Sequence, residues 1–233
     1  MGQCWEVASR FLWQTPQTLA GFALSQFANA SEWLGFTNGG IQSISYLYGA
    51  TAVTYNVGGW GAITLGSFIN GDNQLRADPC NHLFQHEYGH YIQSQEMGLA
   101  YLGRVGIPSG LNGLTHDASA HNVYPIEVDA NRRAFLYFNK YIDGFYTSGE
   151  DNNLNQRWNF AENPLYKDYK GFVDYHDPIK MAEIKNMLIH ANPIDYAAWL
   201  LPPVFVTDTW PIPNFIYSRT IVWGTLLWLY YEP

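Results

Sequence analysis

Cysteine and charge are both scarce in this sequence. Among its 233 residues there are only two cysteines, Cys4 and Cys80. Two cysteines are too few for a disulfide scaffold, and we expect free thiols, with a pair in an exported protein as the alternative. Charged residues make up 14% and apolar residues 47%, a balance that argues against disorder and allows a substantial core. The net charge is −8 and no run of five Lys or Arg occurs, so no nucleic-acid partner is expected.

An export signal and a membrane-spanning stretch are also missing. The start of the chain, MGQCWEVASRFLWQ, has no basic residues followed by an apolar run. We therefore expect an intracellular protein, or part of a larger exported polypeptide whose signal lies elsewhere. Residues 193–233 carry four charges and include TIVWGTLLWLYY, whose twelve residues are too few to cross a bilayer. This tail is expected to close the core as a strand or helix, with membrane contact as the alternative.

The pattern along the chain predicts an α+β fold. No repeat, heptad pattern or linker composition divides residues 1–233, so we expect a single domain. The stretch TPQTLAGFALSQFANA has the apolar spacing of a helix. Residues 41–70 alternate Ile, Val, Thr and Tyr with polar residues between glycines, which predicts a small antiparallel sheet.

Three further helices are expected after this sheet. The first runs over about 79–97, with Asp78 as N-cap and Gly98 as the stop. A loop rich in Gly, Pro and Ser follows over Leu99–Val123, and a second helix spans about 125–141. The third opens at Asp177-Pro178 and continues to about His190, while the rest of residues 144–233 stays unassigned.

The helix over 79–97 contains His86-Glu87-Tyr88-Gly89-His90, an H-E-x-x-H motif. Residues four apart lie on one helical face, so both imidazoles can bind one zinc ion. Glu87 points away from that line and suits a general base acting on water. A solvated surface helix is the alternative, but apolar residues flank the motif on both sides.

A catalytic zinc site needs a third protein ligand, and the metzincin spacing fails because Gln93 and Glu96 stand where Gly and His would be. Glu127, 37 residues after His90, is the better candidate, with His116 or His121 as alternatives. Asn131, one turn further on, can accept a hydrogen bond from a ligating histidine. Asp129 is expected to be solvated or ion-paired.

Four residues are candidate donors to a developing oxyanion, although a hydrogen-bonded packing role is the more common one for such side chains. They are His116, His121, Tyr124 and His176.

The two motifs together resemble a known family. Glu127-x-x-Ala130-Asn131 is similar to the second signature of gluzincin metallopeptidases. WQTPQT, HEYGHYIQSQEMGLAYLGRVGIPSG and YPIEVDANRRA, within residues 10–140, resemble the metallopeptidase-like C-terminal domains of Bacteroidetes RHS-type polymorphic toxins. The resemblance implies a zincin-like fold and a secreted effector delivered into a neighbouring cell, with a cognate immunity protein as a partner. Asn131 departs from the more common aspartate.

These observations lead to the expectation of a zinc-dependent endopeptidase with a polypeptide substrate. The strand Ala62–Ile69, just before the motif helix, is the expected edge for pairing with an extended peptide. Two alternatives remain open: a zincin-fold protein that binds a partner or membrane without catalysis, and a zinc hydrolase of a non-protein amide or ester such as a cell-wall link.

Overall fold

The computed structural model describes residues 8–35, 39–142, 145 and 177–191, and within them helices surround a four-stranded sheet. The predicted α+β class is therefore confirmed. The elements in chain order are α1 Thr15–Trp33, β1 Ile41–Leu47, β2 Ala50–Tyr55, β3 Ala62–Leu65, β4 Phe68–Gly71, α2 His82–Met97, a π-helical turn Leu102–Gly106, α3 Ile107–Thr115, α4 Ala118–Asn122, α5 Pro125–Tyr141 and α6 Pro178–Asn186.

The sheet is mixed, so the expectation of an antiparallel sheet is wrong. Its strand order is β1-β2-β4-β3, with β4 parallel to β2 and the other neighbours antiparallel. The chain turns back after β2, but β3 does not pair with β2. Instead β4 lies between them, pairing with β2 on one side and with β3 in a hairpin on the other. The carboxylate of Asp72 holds this reversal by accepting from the backbone N–H groups of Gly59 and Gly61. The expected single strand Ala62–Ile69 is thus a hairpin, in which β3 forms the edge.

Helix α2 begins at His82, three residues later than the sequence predicts. Asn81 is its N-cap, because the Asn81 side chain accepts from the Phe84 N–H at 2.9 Å. Asp78, the expected cap, instead accepts from the N–H of Cys80 in a preceding turn. Both residue types cap helices well, so composition alone did not separate them. The predicted stop is correct, since Gly98 follows Met97 with a φ of 52°.

Helices α2 and α5 cross closely and bury the larger apolar cluster. This cluster joins aromatic side chains of both helices to apolar side chains of the sheet. Its members include Phe84, Tyr88 and Tyr91 of α2, Phe135 and Phe138 of α5, and Ala50, Ala52 and Ile69 of the sheet. Gly89 lies at the crossing, where any Cβ would overlap the backbone carbonyl of Ala130. A glycine in the middle of α2 therefore brings the two helix backbones together.

Helix α1 packs on the sheet face opposite to α2, and it does so with small and polar side chains. Ser25 donates to Asn70 on β4 at 2.7 Å, whereas Thr64 on the other face contacts Glu87 of α2. Gly21 lets the α1 backbone approach Leu65 and Phe68. The apolar residues that mark α1 in the sequence, Leu19, Phe22 and Phe27, are exposed instead.

The segment Leu99–Val123 is largely helical, so its prediction as a loop is wrong. Pro108 lies in the first turn of α3, directly after the π-helical turn Leu102–Gly106. Asp117 caps α4 by accepting from the Ala120 N–H. Glycines and prolines usually mark loops, but here one continuous helical run contains Gly103, Gly106, Pro108, Gly110 and Gly113.

The last described helix, α6, starts at Pro178 after the predicted cap Asp177 but ends at Asn186 rather than near His190. Met187–Ala191 then continues without regular secondary structure. Within the described residues, no helix has the length and hydropathy needed to cross a bilayer. The expectations for Cys4, for His176 and for the tail after residue 191 fall outside the described residues.

The Gly89 crossing gives a first prediction. Gly89→Ala should lower the free energy of unfolding by about 1–3 kcal/mol, because overlap with the Ala130 carbonyl outweighs the better helix propensity of alanine. Gly110→Ala is the matched control, since it lies within α3 with open space around it and should gain about 0.5–1 kcal/mol. Both are measured by chemical denaturation, and a Gly89→Ala protein as stable as the wild type would disprove the close crossing.

Candidate metal centre

Three side chains from two helices meet at the α2–α5 crossing. The Nε2 atoms of His86 and His90 lie 3.1 and 2.9 Å from Oε2 of Glu127. One ligand atom from each of the three residues lies within 4.8 Å of the others. The one-turn spacing on α2 aligns the imidazoles, and Glu127 in the first turn of α5 faces them across the crossing. Within the described residues this group could hold a metal ion.

The Nδ1 atom of each imidazole contacts an amide oxygen. His86 Nδ1 lies 2.9 Å from Oδ1 of Asn131, and His90 Nδ1 lies 2.7 Å from Oε1 of Gln93. An amide oxygen only accepts, so each Nδ1 carries the proton and donates it. In neutral rings, both Nε2 atoms then present lone pairs toward Glu127.

This arrangement fits a bound cation. Glu127 is fully buried, and its Oε1 has no hydrogen-bond partner in the described part of the chain. Two imidazole lone pairs and a buried carboxylate facing one another would be unfavourable without positive charge between them. Either protons on the imidazoles or a metal ion can supply it, and two nitrogens with one carboxylate oxygen form a recognised metal ligand set.

The ionisation of the group without metal follows from these contacts. Burial lowers the pKa of His90, but the Glu127 carboxylate more than reverses this and raises it to about 9. Burial also lowers the pKa of His86, but the hydrogen bond to Glu127 and the charges of Glu87 and Glu127 together more than reverse this, so the pKa is raised. Burial favours the neutral acid of Glu127, yet the two histidines keep its pKa far below the usual value. Without metal, protons therefore occupy the cation position.

Glu87 lies beside this group and is held by the sheet. It is buried, and its Oε2 accepts from the Thr64 hydroxyl on β3 at 2.6 Å. The same hydroxyl lies 3.0 Å from the Glu87 backbone oxygen. Glu87 is not among the three grouped ligands, which leaves its carboxylate available for proton transfer.

The other predicted site residues lie at different distances from the centre. His121 is near it, with Nε2 3.8 Å from Oε2 of Glu127 and Nδ1 held 2.9 Å from Oδ1 of Asn112. His116 is exposed and contacts Thr115 and Asn112 instead. Tyr124 packs against the smaller apolar cluster around Met97 and Tyr101. His86 and His121, about a fifth to a quarter exposed, mark the open side of the centre.

Sequence reasoning missed three residues around the centre, Gln93, Thr64 and Tyr101, whereas Asp129, expected to be solvated or ion-paired, is buried and pairs with Arg133. Gln93 contacts His90, Thr64 contacts Glu87, and Asp129 contacts Gln93. Tyr101 donates to the Thr64 carbonyl at 3.0 Å. Burial and the charges of Glu87 and Glu127 raise the Tyr101 pKa well above its usual value, so Tyr101 stays a donor. The position of Gln93, three residues after His90 on one helix, was the one available signal in the sequence.

Metal binding should strengthen as the pH rises. A group with a pKa near 9 is protonated at neutral pH, so a metal ion must displace that proton from His90. The apparent affinity should rise about tenfold per pH unit for each displaced proton, and level off above about pH 9. Zinc or cobalt competition titrations against a chelator, corrected for chelator protonation, measure this slope.

His116→Ala is the control for that titration, because His116 is exposed and does not contact Glu127. Its affinity should show the same dependence on pH as the wild type. A wild-type affinity that does not change between about pH 6 and 8 would mean that no ligand proton is displaced.

Comparison with known proteins gives no relative from which to assign the chain. No protein-family model matches the sequence, and neither a curated protein nor a solved structure does. The function must therefore be argued from the residues of the site and their geometry.

Proposed function

We propose that the protein is a zinc-dependent endopeptidase. The observation that carries the proposal is the buried group of His86, His90 and Glu127, with Glu87 directly beside it. Two imidazoles and one carboxylate leave a coordination position open, as catalytic zinc sites require. The donor set favours zinc over magnesium or calcium, which prefer oxygen ligands.

Each side chain has a defined task in this proposal. When bound, zinc supplies Lewis-acid polarisation of a carbonyl group and makes a coordinated water more acidic. Glu87 accepts a proton from the attacking water and returns it to the leaving nitrogen. The Thr64 hydroxyl, 2.6 Å from Oε2 of Glu87, fixes the direction of that carboxylate. The low exposure of Glu87 limits competition from bulk water.

His121 is the best placed of the candidate oxyanion donors. Its Nδ1 is tied to Asn112 and its Nε2 faces Glu127 from the open side of the centre. A protonated His121 could donate from Nε2 to the oxygen of a scissile carbonyl. His116 and Tyr124 contact other parts of the chain, so we assign them no part in the reaction.

The substrate in this proposal is an extended peptide lying along β3. This strand is an edge of the sheet, and through Thr64 it contacts the proposed general base. The Thr64 carbonyl already accepts a hydrogen bond from the Tyr101 hydroxyl. Peptide pairing would therefore use the part of β3 that begins at Ala62. Backbone pairing of this kind positions a peptide with little dependence on its sequence.

The general-base assignment is tested with Glu87→Gln. The variant should bind zinc like the wild type, because Glu87 is outside the ligand group, but peptide hydrolysis should fall by about 10²–10⁴-fold. Zinc content by elemental analysis and digestion of casein, with and without chelator, give the two readouts. Glu32→Gln, a surface carboxylate on α1, is the control and should change neither.

A Glu87→Gln protein with full activity would remove Glu87 from the mechanism. If the wild type binds zinc but digests no peptide, purified cell wall should be digested next. Hydrolysis there would favour a non-protein amide or ester substrate, and its absence would favour a binding protein without catalysis.

The identity of the third ligand is tested separately. Glu127→Gln should abolish stoichiometric zinc binding, because the buried anion between the histidines is lost. His121→Ala should keep about one zinc per chain and lose activity, since His121 is further from the group. The reverse result, with zinc lost in His121→Ala and kept in Glu127→Gln, would make His121 the ligand.

A further inference from the structure

Gln93 connects a proposed metal ligand to a buried ionic network. It is fully buried, and its Oε1 lies 2.7 Å from Nδ1 of His90. The amide nitrogen of Gln93 donates to Oδ2 of Asp129 at 2.6 Å and to the backbone oxygen of Ile126 at 3.1 Å. Both of these partners only accept, so the amide nitrogen must face them. The oxygen must then face His90.

Asp129 is in turn held as an ionised acceptor. Arg133, one turn further along α5, donates from Nε to the same Oδ2 at 2.7 Å, and the N–H of Ile189 donates to Oδ1 at 2.7 Å. Arg133 is itself buried and also donates to the Ile189 carbonyl and to Glu96. The Arg133 guanidinium and the Ile189 N–H both donate to the Asp129 carboxylate, so it is an acceptor toward Gln93 as well.

We propose that Gln93 is a positioning residue that fixes the tautomer of His90, and that Asp129 and Arg133 fix the orientation of Gln93. Because the Gln93 oxygen accepts from Nδ1, the Nε2 of neutral His90 keeps its lone pair for the metal. The inference rests on the proposed function in that it takes His90 as a metal ligand. A reversed Gln93 amide would favour the other tautomer, with a proton on Nε2.

Three variants test the proposal. Gln93→Met keeps the approximate shape and removes the acceptor, whereas Gln93→Glu keeps an acceptor oxygen for Nδ1. Gln95→Met is the matched control. It removes a buried amide from the same helix, bonded to Ser9 and Tyr91 rather than to His90. Zinc affinity is measured by chelator competition, and the ring nitrogens of His90 are followed by NMR of ¹⁵N-histidine-labelled protein.

Gln93→Met should weaken zinc binding by about 10–100-fold relative to Gln95→Met. In metal-free protein above about pH 9, where the His90 ring is neutral, its proton should move from Nδ1 to Nε2. Gln93→Glu should restore both zinc affinity and the Nδ1 proton, even if the second carboxylate beside Asp129 lowers stability. A purely structural role predicts that Gln93→Glu is no better than Gln93→Met. Equal zinc affinities for Gln93→Met and Gln95→Met would overturn the proposal.

The readouts also separate this proposal from the proposed function. If the wild type binds zinc but hydrolyses nothing, the enzyme proposal fails and the affinities still decide the role of Gln93. If the wild type binds no zinc, the Nδ1 proton of the neutral His90 ring, observed in metal-free protein above about pH 9, decides instead. Its persistence in Gln93→Met would overturn the positioning role, and its loss there but not in Gln95→Met would support it.

Discussion

The close crossing of α2 and α5 is the constraint on which the rest of the centre depends. Gly89 allows the α2 backbone to approach the Ala130 carbonyl, and this brings Glu127 within hydrogen-bond distance of two imidazoles. A carboxylate buried so completely is costly without a compensating charge. The packing of two helices thus creates a position that must hold protons or a metal ion, and the aromatic cluster around Tyr88 and Phe138 supports that packing.

The two carboxylates of α5 explain how one helix serves two buried sites. Glu127 and Asp129 are two residues apart and therefore point to different sides of the helix. Glu127 faces the histidines, while Asp129 faces Gln93 and Arg133. Arg133 pairs with Asp129, whereas the ion-pair partners of Glu127 within the described residues are all histidines. That difference favours a cation at the histidines rather than elsewhere along α5.

Local chemistry made much of this predictable from the sequence. Proline at position 125 and glycine at position 98 mark helix ends that the structure reproduces, and the H-E-x-x-H spacing aligns two histidines in any helix. Contacts between distant segments were not predictable. Strand composition did not show that β4 would enter between β2 and β3. The apolar spacing of α1 pointed to the wrong buried face. The face that packs on the sheet contains Ser25 and Gly21, because it depends on a close approach of the helix backbone to the sheet.

The same limit applies to the centre, where the sequence indicated the proposed ligands and Asn131, which contacts His86, but not Gln93 or Thr64. Thr64 lies 23 residues before Glu87 and looks like an ordinary strand residue until β3 is placed beside α2. In the proposed enzyme, this hydroxyl would link the edge strand to the general base. If β3 shifted on pairing with a peptide, the Thr64 hydroxyl would move and change the position of the Glu87 carboxylate. A site built this way would couple substrate alignment to proton transfer through a single short hydrogen bond, without requiring motion of the metal ligands.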